Sequence, residues 1–315
     1  MLHIAEYDAV DPLQVLHLNL LCLDFALTPE LVALIRRMDP RPFPFFAVYA
    51  VEGDTVVGQV GVFRLPMTSM NGPDEVGGVW AVSTHPAYRG RGVASLLLDE
   101  AHVRMRAAGL RFSTLGTNIY RVAHALYEKH DYSDVISPAY VLARCDILPD
   151  QPGLRAEPAG VGRLHLADQL FEQIAGSCLG FARRHTPFFP FLHARNYLSA
   201  QNLWLLWWDD EAVGYAATSV NNALLRVGSL LLAESVDPVA AVAALAQATE
   251  TTYVQVRVDR PHNATAFVQA GFQITKQSWG TFMVKALAPG ADVGQFHEIY
   301  GLDSGRFLIS YLDVT

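Results

Sequence analysis

The chain of 315 residues is 51% hydrophobic and carries a formal net charge of −8. This length fits two mixed α/β domains of about 150 residues each, and the hydrophobic content excludes a largely disordered chain. The acidic balance argues against nucleic acid as a partner, because such binding needs a clustered basic face and the only dense basic run is Arg89 to Arg91.

The first half of the chain predicts two helices followed by alternating strands and helices. The second helix has Thr28 as its N-cap and Pro29 in its first turn, and the strand pair that follows turns at Glu52-Gly53-Asp54. In chain order the predicted elements are helices 13–23 and 29–38, strands 45–51, 55–65 and 76–82, helix 93–108, strand 111–116, helix 119–130 and strand 140–144.

The second half repeats this plan. Its predicted elements are helices 163–175 and 193–199, strands 203–208, 211–220 and 224–232, helix 236–250, strand 252–258, helix 263–270 and strand 280–284. Pro149, Pro152 and Gly153 mark a linker between the halves. The sequence therefore predicts an α/β chain of two tandem domains, 1–148 and 149–315. Each has a mixed central sheet flanked by helices, and the second has an additional C-terminal strand.

A glycine loop between a predicted strand and helix is the most informative segment. The apolar strand ends at Val82, a turn holds Pro86, and the run from Arg89 to Gly92 leads into the helix. Free backbone N–H groups and the helix dipole at such a helix start favour anions, and arginines suit phosphates. The loop matches neither a Walker A sequence nor a dinucleotide-binding G-x-G-x-x-G. An ordinary surface loop is the simple alternative.

This loop resembles motif A of the GNAT acetyltransferases, R/Q-x-x-G-x-G/A, with Arg89, Gly92 and Ala94 in register. The resemblance implies a site for acetyl-CoA as cosubstrate. It implies that the pyrophosphate binds the backbone amides of Arg89, Gly90, Arg91, Gly92, Val93, Ala94 and Ser95. It further implies that the strand end of Val82, Ser83 and Thr84 binds the pantetheine arm, with an amide near Val82 placed to stabilise an oxyanion.

A second segment, residues 117–132, resembles the family's N-x-x-A-x-x-L-Y-x-x-x-G-F. Ala123, Leu126 and Tyr127 match this motif, and Tyr132 replaces its phenylalanine. The resemblance implies that Tyr127 is the general acid that protonates the departing CoA thiolate. A tyrosine that only packs in the core is the alternative.

The same segment departs from the motif at two positions. Asp131 replaces the glycine, and Tyr120 occupies the register of the asparagine. Asn118 lies two residues earlier, and we expect it to contact the cofactor if the turn between strand and helix is longer by two residues.

No residue is assigned as the general base. The predicted strands 76–82 and 111–116 contain no carboxylate, and Glu75 and His85 flank the first of them. Either could act through water, although a surface or turn residue is the simpler interpretation of each. We expect His124 and His130, on the tyrosine helix, to face solvent.

The second half resembles the same fold without its cofactor chemistry. Phe267 falls where Tyr127 falls in the first half, and phenylalanine cannot donate a proton. No glycine loop follows strand 224–232, and the acidic Glu234 and Asp237 would repel a pyrophosphate. We expect this GNAT-like half to shape the substrate cleft.

Cysteine usage and hydropathy bound the remaining expectations. Cys22, Cys145 and Cys178 lie far apart, which argues against disulfides and a zinc site and fits a reducing cytoplasm. The N-terminus lacks the basic start and apolar run of a signal peptide, and no apolar stretch is long enough to span a bilayer. We therefore expect no metal, no nucleic-acid partner, no membrane partner, and a cytoplasmic monomer or homodimer.

Together these patterns predict an N-acetyltransferase. The expected reaction moves an acetyl group from acetyl-CoA to a primary amine, of a small molecule or a peptide, by direct attack in a ternary complex. Two alternatives stay open: a non-catalytic acyl-CoA sensor, and a transferase for a longer acyl group. The identity of the amine does not follow from the sequence.

Overall fold

Helices and strands alternate much as the sequence predicts in the computed structural model, which describes residues 2–149, 152–185, 187–258, 261–274 and 280–313, apart from the side chains of 261–263. The α-helices in these ranges are α1 (Pro12–Leu23), α2 (Pro29–Met38), α3 (Val93–Ala107), α4 (Val122–Lys129), α5 (Leu164–Ala175), α6 (Phe188–Ala194), α7 (Pro238–Ala248), α8 (Pro261–Gln269) and α9 (Val293–Tyr300). Among the described helices, none combines the length and apolar character needed to cross a bilayer.

The strands form two sheets. They are β1 (Leu2–Glu6), β2 (Pro42–Glu52), β3 (Thr55–Ser69), β4 (Gly72–Thr84), β5 (Phe112–Asn118), β6 (Ser133–Ile136), β7 (Ala139–Arg144), β8 (Leu154–Pro158), β9 (Leu179–Gly180), β10 (Leu203–Trp208), β11 (Glu211–Asn221), β12 (Leu224–Leu232), β13 (Tyr253–Val258), β14 (Gln273–Ile274), β15 (Gly280–Ala286) and β16 (Phe307–Leu308).

Local capping signals determine several helix starts. The carboxylate of Asp11 accepts a hydrogen bond from the amide of Leu13 at 2.9 Å, at the start of α1, as N-cap aspartates do. Helix α4 begins at Val122, later than predicted. The reason is a turn closed by Oδ1 of Asn118, which accepts from the amide of Tyr120 at 2.9 Å. The predicted helix 193–199 is wrong in its bounds, because α6 covers the apolar run that ends at Ala194.

Each sheet contains one parallel pair of strands in an otherwise antiparallel arrangement along its main path. The first sheet runs β1-β2-β3-β4-β5-β15-β6, with β9 and β16 at the side. The second runs β14-β7-β13-β12-β11-β10-β8. The parallel pairs are β4 with β5 and β12 with β13. The mixed α/β architecture with two sheets flanked by helices is confirmed.

The two halves exchange strands. β15, from the second half, pairs antiparallel with β5 of the first sheet, with Met283 opposite Leu115. β7, from the first half, pairs with β13 of the second sheet, with Val141 opposite Val256. The division into 1–148 and 149–315 stays a prediction, but the sheets do not follow it, because each contains a strand from the other side of that boundary.

A shared hydrophobic core joins the two halves. Leu18 of α1 and Phe46 of β2 belong to the same buried cluster as Phe171 of α5 and Phe189 of α6. The C-terminal segment also returns towards the middle of the chain, where β16 pairs in parallel with β9, Phe307 opposite Leu179. The expected C-terminal strand is therefore present, although it is only two residues long.

Candidate functional site

The parallel strands β4 and β5 diverge. Their pairing consists of Gly77 opposite Ser113 and Gly78 opposite Thr114, and it stops there although both strands continue. A bulge lies on the other side of β4, where the register with β3 shifts between Trp80 and Ser83. Ala81, within this bulge, has a φ of 50°. The ends of the two strands therefore separate and leave a gap between them.

A cleft of about 450 Å³ opens at this gap. Its lining comes from both halves of the chain. The first half provides Leu23, Ala81, Val82, residues 116–118, Arg121, Ala123, Tyr127, Ile136, Pro138 and Tyr140, and the second half provides Arg257, residues 280–282 and Ile309. A cleft of this size is within the range of small-molecule sites. Of the predicted site residues, Val82, Asn118 and Tyr127 lie on it.

The glycine loop leaves the start of α3 open. No amide from Gly90 to Ser95 donates a backbone hydrogen bond within the described part of the chain, and the first to do so is that of Leu96, to the carbonyl of Gly92 at 3.0 Å. Gly92 is the N-cap residue, so no side chain caps the helix. Gly90 and Gly92 have φ values of 74° and 77°, and a Cβ on either would meet no atom within 4 Å. The loop thus offers consecutive donors to an anion.

Two arginine side chains, those of Arg89 and Arg91, lie in the same loop as these amide donors. Arg89 and Arg91 are both exposed, and neither forms an ion pair with a described residue. The guanidinium carbon of Arg91 lies 4.7 Å from the centroid of the Tyr88 ring, which holds the side chain beside the loop. The positive charge at this helix start is therefore not neutralised by the described part of the protein.

The predicted pantetheine strand divides into residues that reach the cleft and residues that do not. Val82 lines the cleft, whereas Ser83 and Thr84 are absent from its lining. The hydroxyl oxygens of Ser83 and Thr84 are nevertheless buried without a hydrogen-bond partner in the described structure. Such groups cost about 1–3 kcal/mol each when unsatisfied. These two oxygens are therefore enclosed by protein and not open to the cleft.

Tyr127 of α4 lies on the cleft and is 7% exposed. Its ring packs edge-on against Tyr132, with 5.9 Å between centroids. Burial raises the pKa of Tyr127 to about 12, so the hydroxyl is protonated at neutral pH. Asn118 lies at the end of β5 on the same cleft, with its Oδ1 already engaged by the amide of Tyr120.

The candidates for a general base are not brought into the cleft. Glu75 lies near the opposite end of β4 and pairs with Arg64 at 3.2 Å. Nδ1 of His85 accepts from the amide of Ala87 at 3.2 Å and caps the turn after β4. Among the described residues that line the cleft, none is an aspartate, a glutamate or a histidine.

The expectation that His124 and His130 face solvent is wrong. Their side chains are only 14% and 10% exposed, because each packs beside a carboxylate. Nε2 of His124 lies 3.0 Å from Asp134, and Nδ1 of His130 lies 3.2 Å from Asp99. Neither histidine lines the cleft.

A buried polar chain behind Tyr127 was not anticipated from the sequence. The hydroxyl of Tyr132 lies 2.6 Å from Oγ of Ser113 and 2.9 Å from Nε2 of His102. Burial lowers the pKa of His102 to about 3, so its imidazole is neutral. The tyrosine that replaces the motif's phenylalanine was the available signal, because a buried hydroxyl needs a partner. These hydrogen bonds connect α3 and β5 to the segment that follows α4.

His102 also approaches His130 and Asp99. These three residues bring possible metal-ligand atoms within 4.8 Å of one another. The ammonium of Lys285 lies 2.6 Å from the carbonyl of His130. Its charge opposes a cation at this position, so the geometry alone does not make this cluster a metal site.

The corresponding region of the second half differs at the positions that match the predicted phosphate loop and Tyr127. Oδ1 of Asp237 accepts from the amide of Val239 at 3.0 Å and caps the start of α7. Phe267 is buried at 1% exposure and packs against Phe272. The strands β12 and β13 also stop pairing, after Val227, but the C-terminal segment fills the gap, where Oγ of Ser310 lies 2.9 Å from Oγ of Ser229.

Comparison with known proteins finds a domain match in the first half of the chain and shows the fold of nearly the whole chain. A family model described as an acetyltransferase (GNAT) domain matches residues 18–134. A structure from Enterococcus faecalis, described as a probable N-acyltransferase, matches with a TM-score of 0.70 at 12% identity, covering 91% of this chain and 73% of its own. No curated protein matches the sequence.

Two further solved structures are similar over nearly the whole chain. A GCN5-related N-acetyltransferase from Kribbella flavida has a TM-score of 0.65 at 17% identity, covering 92% of this chain and 75% of its own. One from Anabaena variabilis has a TM-score of 0.68 at 15% identity, covering 91% and 73%. The resemblance drawn from the motifs is confirmed, and so is the tandem GNAT fold.

Proposed function

We propose that this chain, whose residues 18–134 form a GNAT acetyltransferase domain, moves an acetyl group from acetyl-CoA to a primary amine by direct attack in a ternary complex. One observation carries this proposal. β4 ends beside the gap that separates it from β5, and the chain then continues through the glycine loop into the uncapped start of α3. Tyr127 lies on the cleft at the same gap.

The first step is recognition of the pyrophosphate. The amides from Gly90 to Ser95, which donate no backbone hydrogen bond in the described structure, suit an anion at the helix start. The side chains of Arg89 and Arg91 add charge that is otherwise uncompensated there. The lack of a Cβ at Gly90 and Gly92 leaves space for close approach by a phosphate.

The second step is placement of the thioester. The end of β4, from Val82 to Thr84, would bind the pantetheine arm alongside the strand, where its pairing with β5 has ended. The amide of Val82 would then face the thioester carbonyl and stabilise the oxyanion of the tetrahedral intermediate.

Tyr127 would act as the general acid. Its pKa of about 12 keeps the phenol protonated before reaction. A thiol in water has a pKa near ~8.5, and burial would raise the pKa of the CoA thiol as it raises that of Tyr127. The difference between the pKa values of the phenol and of the thiol is then smaller than it would be with a thiol in water. The hydroxyl therefore donates to sulfur as the carbon–sulfur bond breaks, and the proton ends on the CoA thiol.

Direct attack is favoured over a covalent acyl-enzyme. None of the three cysteines lines the cleft. Cys22 is the nearest in sequence to the site, and its Sγ donates to the carbonyl of Thr84 at 3.5 Å. Burial raises the pKa of this thiol, which disfavours the nucleophilic thiolate.

Replacement of Tyr127 by phenylalanine tests the proposal. We expect Tyr127→Phe to lower kcat by about 10²–10⁴-fold while calorimetry shows unchanged affinity for acetyl-CoA, since only the proton donor is lost. Tyr253→Phe, a partly exposed tyrosine on β13, is the matched control and should leave both values unchanged.

The same assay separates the alternatives. Thiol release would be measured with a panel of primary amines and with acetyl-, propionyl- and succinyl-CoA. Binding of acetyl-CoA without turnover by the wild-type chain would identify a sensor, and faster turnover of a longer acyl group would correct the donor. If acetyl-CoA failed to bind at all, the proposed function would be wrong.

A further inference from the structure

Helix α1 is apolar on its exposed side as well as on its buried side. Val15 and Leu18 are fully buried in the core that the two halves share. Away from that core, Leu13, Leu20 and Leu23 are 65%, 48% and 37% exposed. A helix that packs against a core with one face normally carries polar residues on the other. Packing in the core therefore does not account for the exposed leucines of α1.

The exposed leucines lie in one row, the α1 stripe, which consists of Leu13, Leu16, Leu20 and Leu23. Leu16 is half-buried. Residues three and four apart are neighbours on one face of a helix, so each member of the row adjoins the next. At a rise of about 1.5 Å per residue the stripe is about 15 Å long. Scattered exposed leucines are ordinary, whereas a contiguous apolar surface marks a binding site.

The α1 stripe ends at the cleft that contains Tyr127. Leu23 lines that cleft and is also partly exposed, so it lies where the cleft meets solvent. The end of α1 is held beside the end of β4, because Sγ of Cys22 donates to the carbonyl of Thr84 at 3.5 Å. Leu20 precedes Leu23 by one turn on the same face. The apolar surface of the helix thus continues outward from the lining of the cleft.

The cleft itself suits an apolar ligand more than a second positive charge. The buried side chains of Phe282 and Ile309 belong to its lining. The charged residues of the described lining are both arginines, Arg121 and Arg257. Asp24, which follows Leu23, is exposed and lies outside the lining. A second ammonium group would therefore enter the described part of the cleft without a carboxylate to pair with, which is costly.

We propose that the acceptor of the acetyl group is an amphiphilic amine. Its one primary amine reaches Tyr127, and its extended apolar body leaves the cleft past Leu23 and lies on the α1 stripe. This inference rests on the proposed function, because it assumes that acetyl transfer takes place beside Tyr127. The continuity of the stripe with the cleft favours a substrate over a second copy of the chain, which would cover the mouth of the cleft at Leu23.

Calorimetry with a homologous series of amines tests the inference. The full chain, saturated with CoA, would be titrated at one pH with ethylamine, butylamine, pentylamine, octylamine and decylamine, so that only the apolar chain varies. We expect affinity to rise about two- to fourfold per methylene, since the stripe covers a bound chain on one side. Cadaverine should bind about tenfold or more weakly than pentylamine, because it carries a second ammonium. Equal affinity along the series, or tighter binding of cadaverine, would overturn the proposal.

Replacement of Leu20 locates the apolar body. Leu20→Gln should weaken binding of octylamine and decylamine about three- to tenfold and leave ethylamine unchanged, because the short chain stays within the cleft. Val103→Gln is the control, since Val103 is similarly exposed on α3 and does not line the cleft. Thermal unfolding would confirm that both variants fold. Unchanged binding of the long amines to Leu20→Gln would contradict the proposal.

Sedimentation of the same samples tests the rival occupant. A wild-type dimer that becomes a monomer in Leu20→Gln would identify the stripe as an interface between copies and overturn the proposal. An oligomeric state that is the same in both chains would support a substrate on the stripe.

Thiol release from acetyl-CoA distinguishes failure of this inference from failure of the acetyltransferase proposal. It would be measured with each amine of the series. Affinity that rises with chain length without thiol release would retain the apolar amine site and contradict the transferase. Thiol release with the same kcat/KM for every chain length would retain the transferase and contradict the amphiphilic acceptor.

Discussion

Asp237 and Gly92 occupy the same place in the two halves, each at the residue before the helix that follows a strand of the parallel pair. The carboxylate of Asp237 caps its own helix by accepting from the amide of Val239 at 3.0 Å. Pro238, the first helical residue, removes a further amide donor. Gly92 leaves the corresponding donors open. The two halves therefore share a scaffold and differ in whether the helix start can accept an anion.

This difference predicts the effect of Gly92→Asp. The new carboxylate should repel a pyrophosphate at the start of α3, so that affinity for acetyl-CoA falls by about 100-fold or more, as expected when charge-assisted hydrogen bonds are replaced by repulsion. Calorimetry would measure the dissociation constant, and thermal unfolding would confirm that the variant folds.

A matched control separates backbone strain from the charge effect. Gly290 has a φ of 78° in the turn before α9, and a Cβ there meets no atom within 4 Å. Gly290→Asp therefore imposes a similar left-handed conformation on a residue that does not line the cleft, and it should leave affinity for acetyl-CoA unchanged. Wild-type affinity in Gly92→Asp would contradict the placement of the pyrophosphate.

Local signals were enough to predict the glycine loop before α3, but they could not predict which strands pair. The cap at Thr28, the glycines of the loop and the spacing from Ala123 to Tyr127 each depend on neighbouring residues. The exchange of β7 and β15 depends on partners distant in sequence, because an alternating apolar strand fits either sheet. Arg257 was missed for that reason, since only the pairing of β13 with β7 brings it beside Tyr140.

Strand exchange predicts that residues 1–148 do not fold alone. Their sheet would lose β15, whose Phe282, Met283 and Val284 are at most 3% exposed. Burial of each such side chain contributes roughly 1.5–3 kcal/mol, and a whole domain is stable by only about 5–15 kcal/mol. We expect a fragment without dispersed NMR signals or a cooperative thermal transition, while the full chain shows both. A cooperatively unfolding fragment would show that β15 is dispensable.

Acid should destabilise the fold through His102. Burial lowers its pKa from 6.5 to about 3, so the unfolded chain binds a proton more readily than the folded chain between these values. Stability is therefore fully present above about pH 6.5 and falls as the pH drops, by at most ~1.4 kcal/mol per pH unit from this group. Urea unfolding at pH 7.5 and pH 5 would measure the loss.

His102→Gln isolates this contribution. Glutamine can still hydrogen-bond the hydroxyl of Tyr132 but does not titrate, so the difference in unfolding free energy between the two pH values should shrink. The same replacement at the exposed His17 should leave that difference as in the wild type. An unchanged difference in His102→Gln would mean that other groups cause the acid sensitivity.

The rate of acetyl transfer should follow the ionisation of the acceptor. Among the described residues of the cleft none can accept a proton near neutral pH, so the amine must lose its proton to water before attack. We expect kcat/KM to rise tenfold per pH unit up to the pKa of the amine, about 10.4 for a lysine side chain, and to reach its plateau earlier for a less basic amine. The pKa of Tyr127, about 12, places any fall above this range. An inflection near pH 6–7 that stays constant across acceptors would instead reveal a base supplied by the protein.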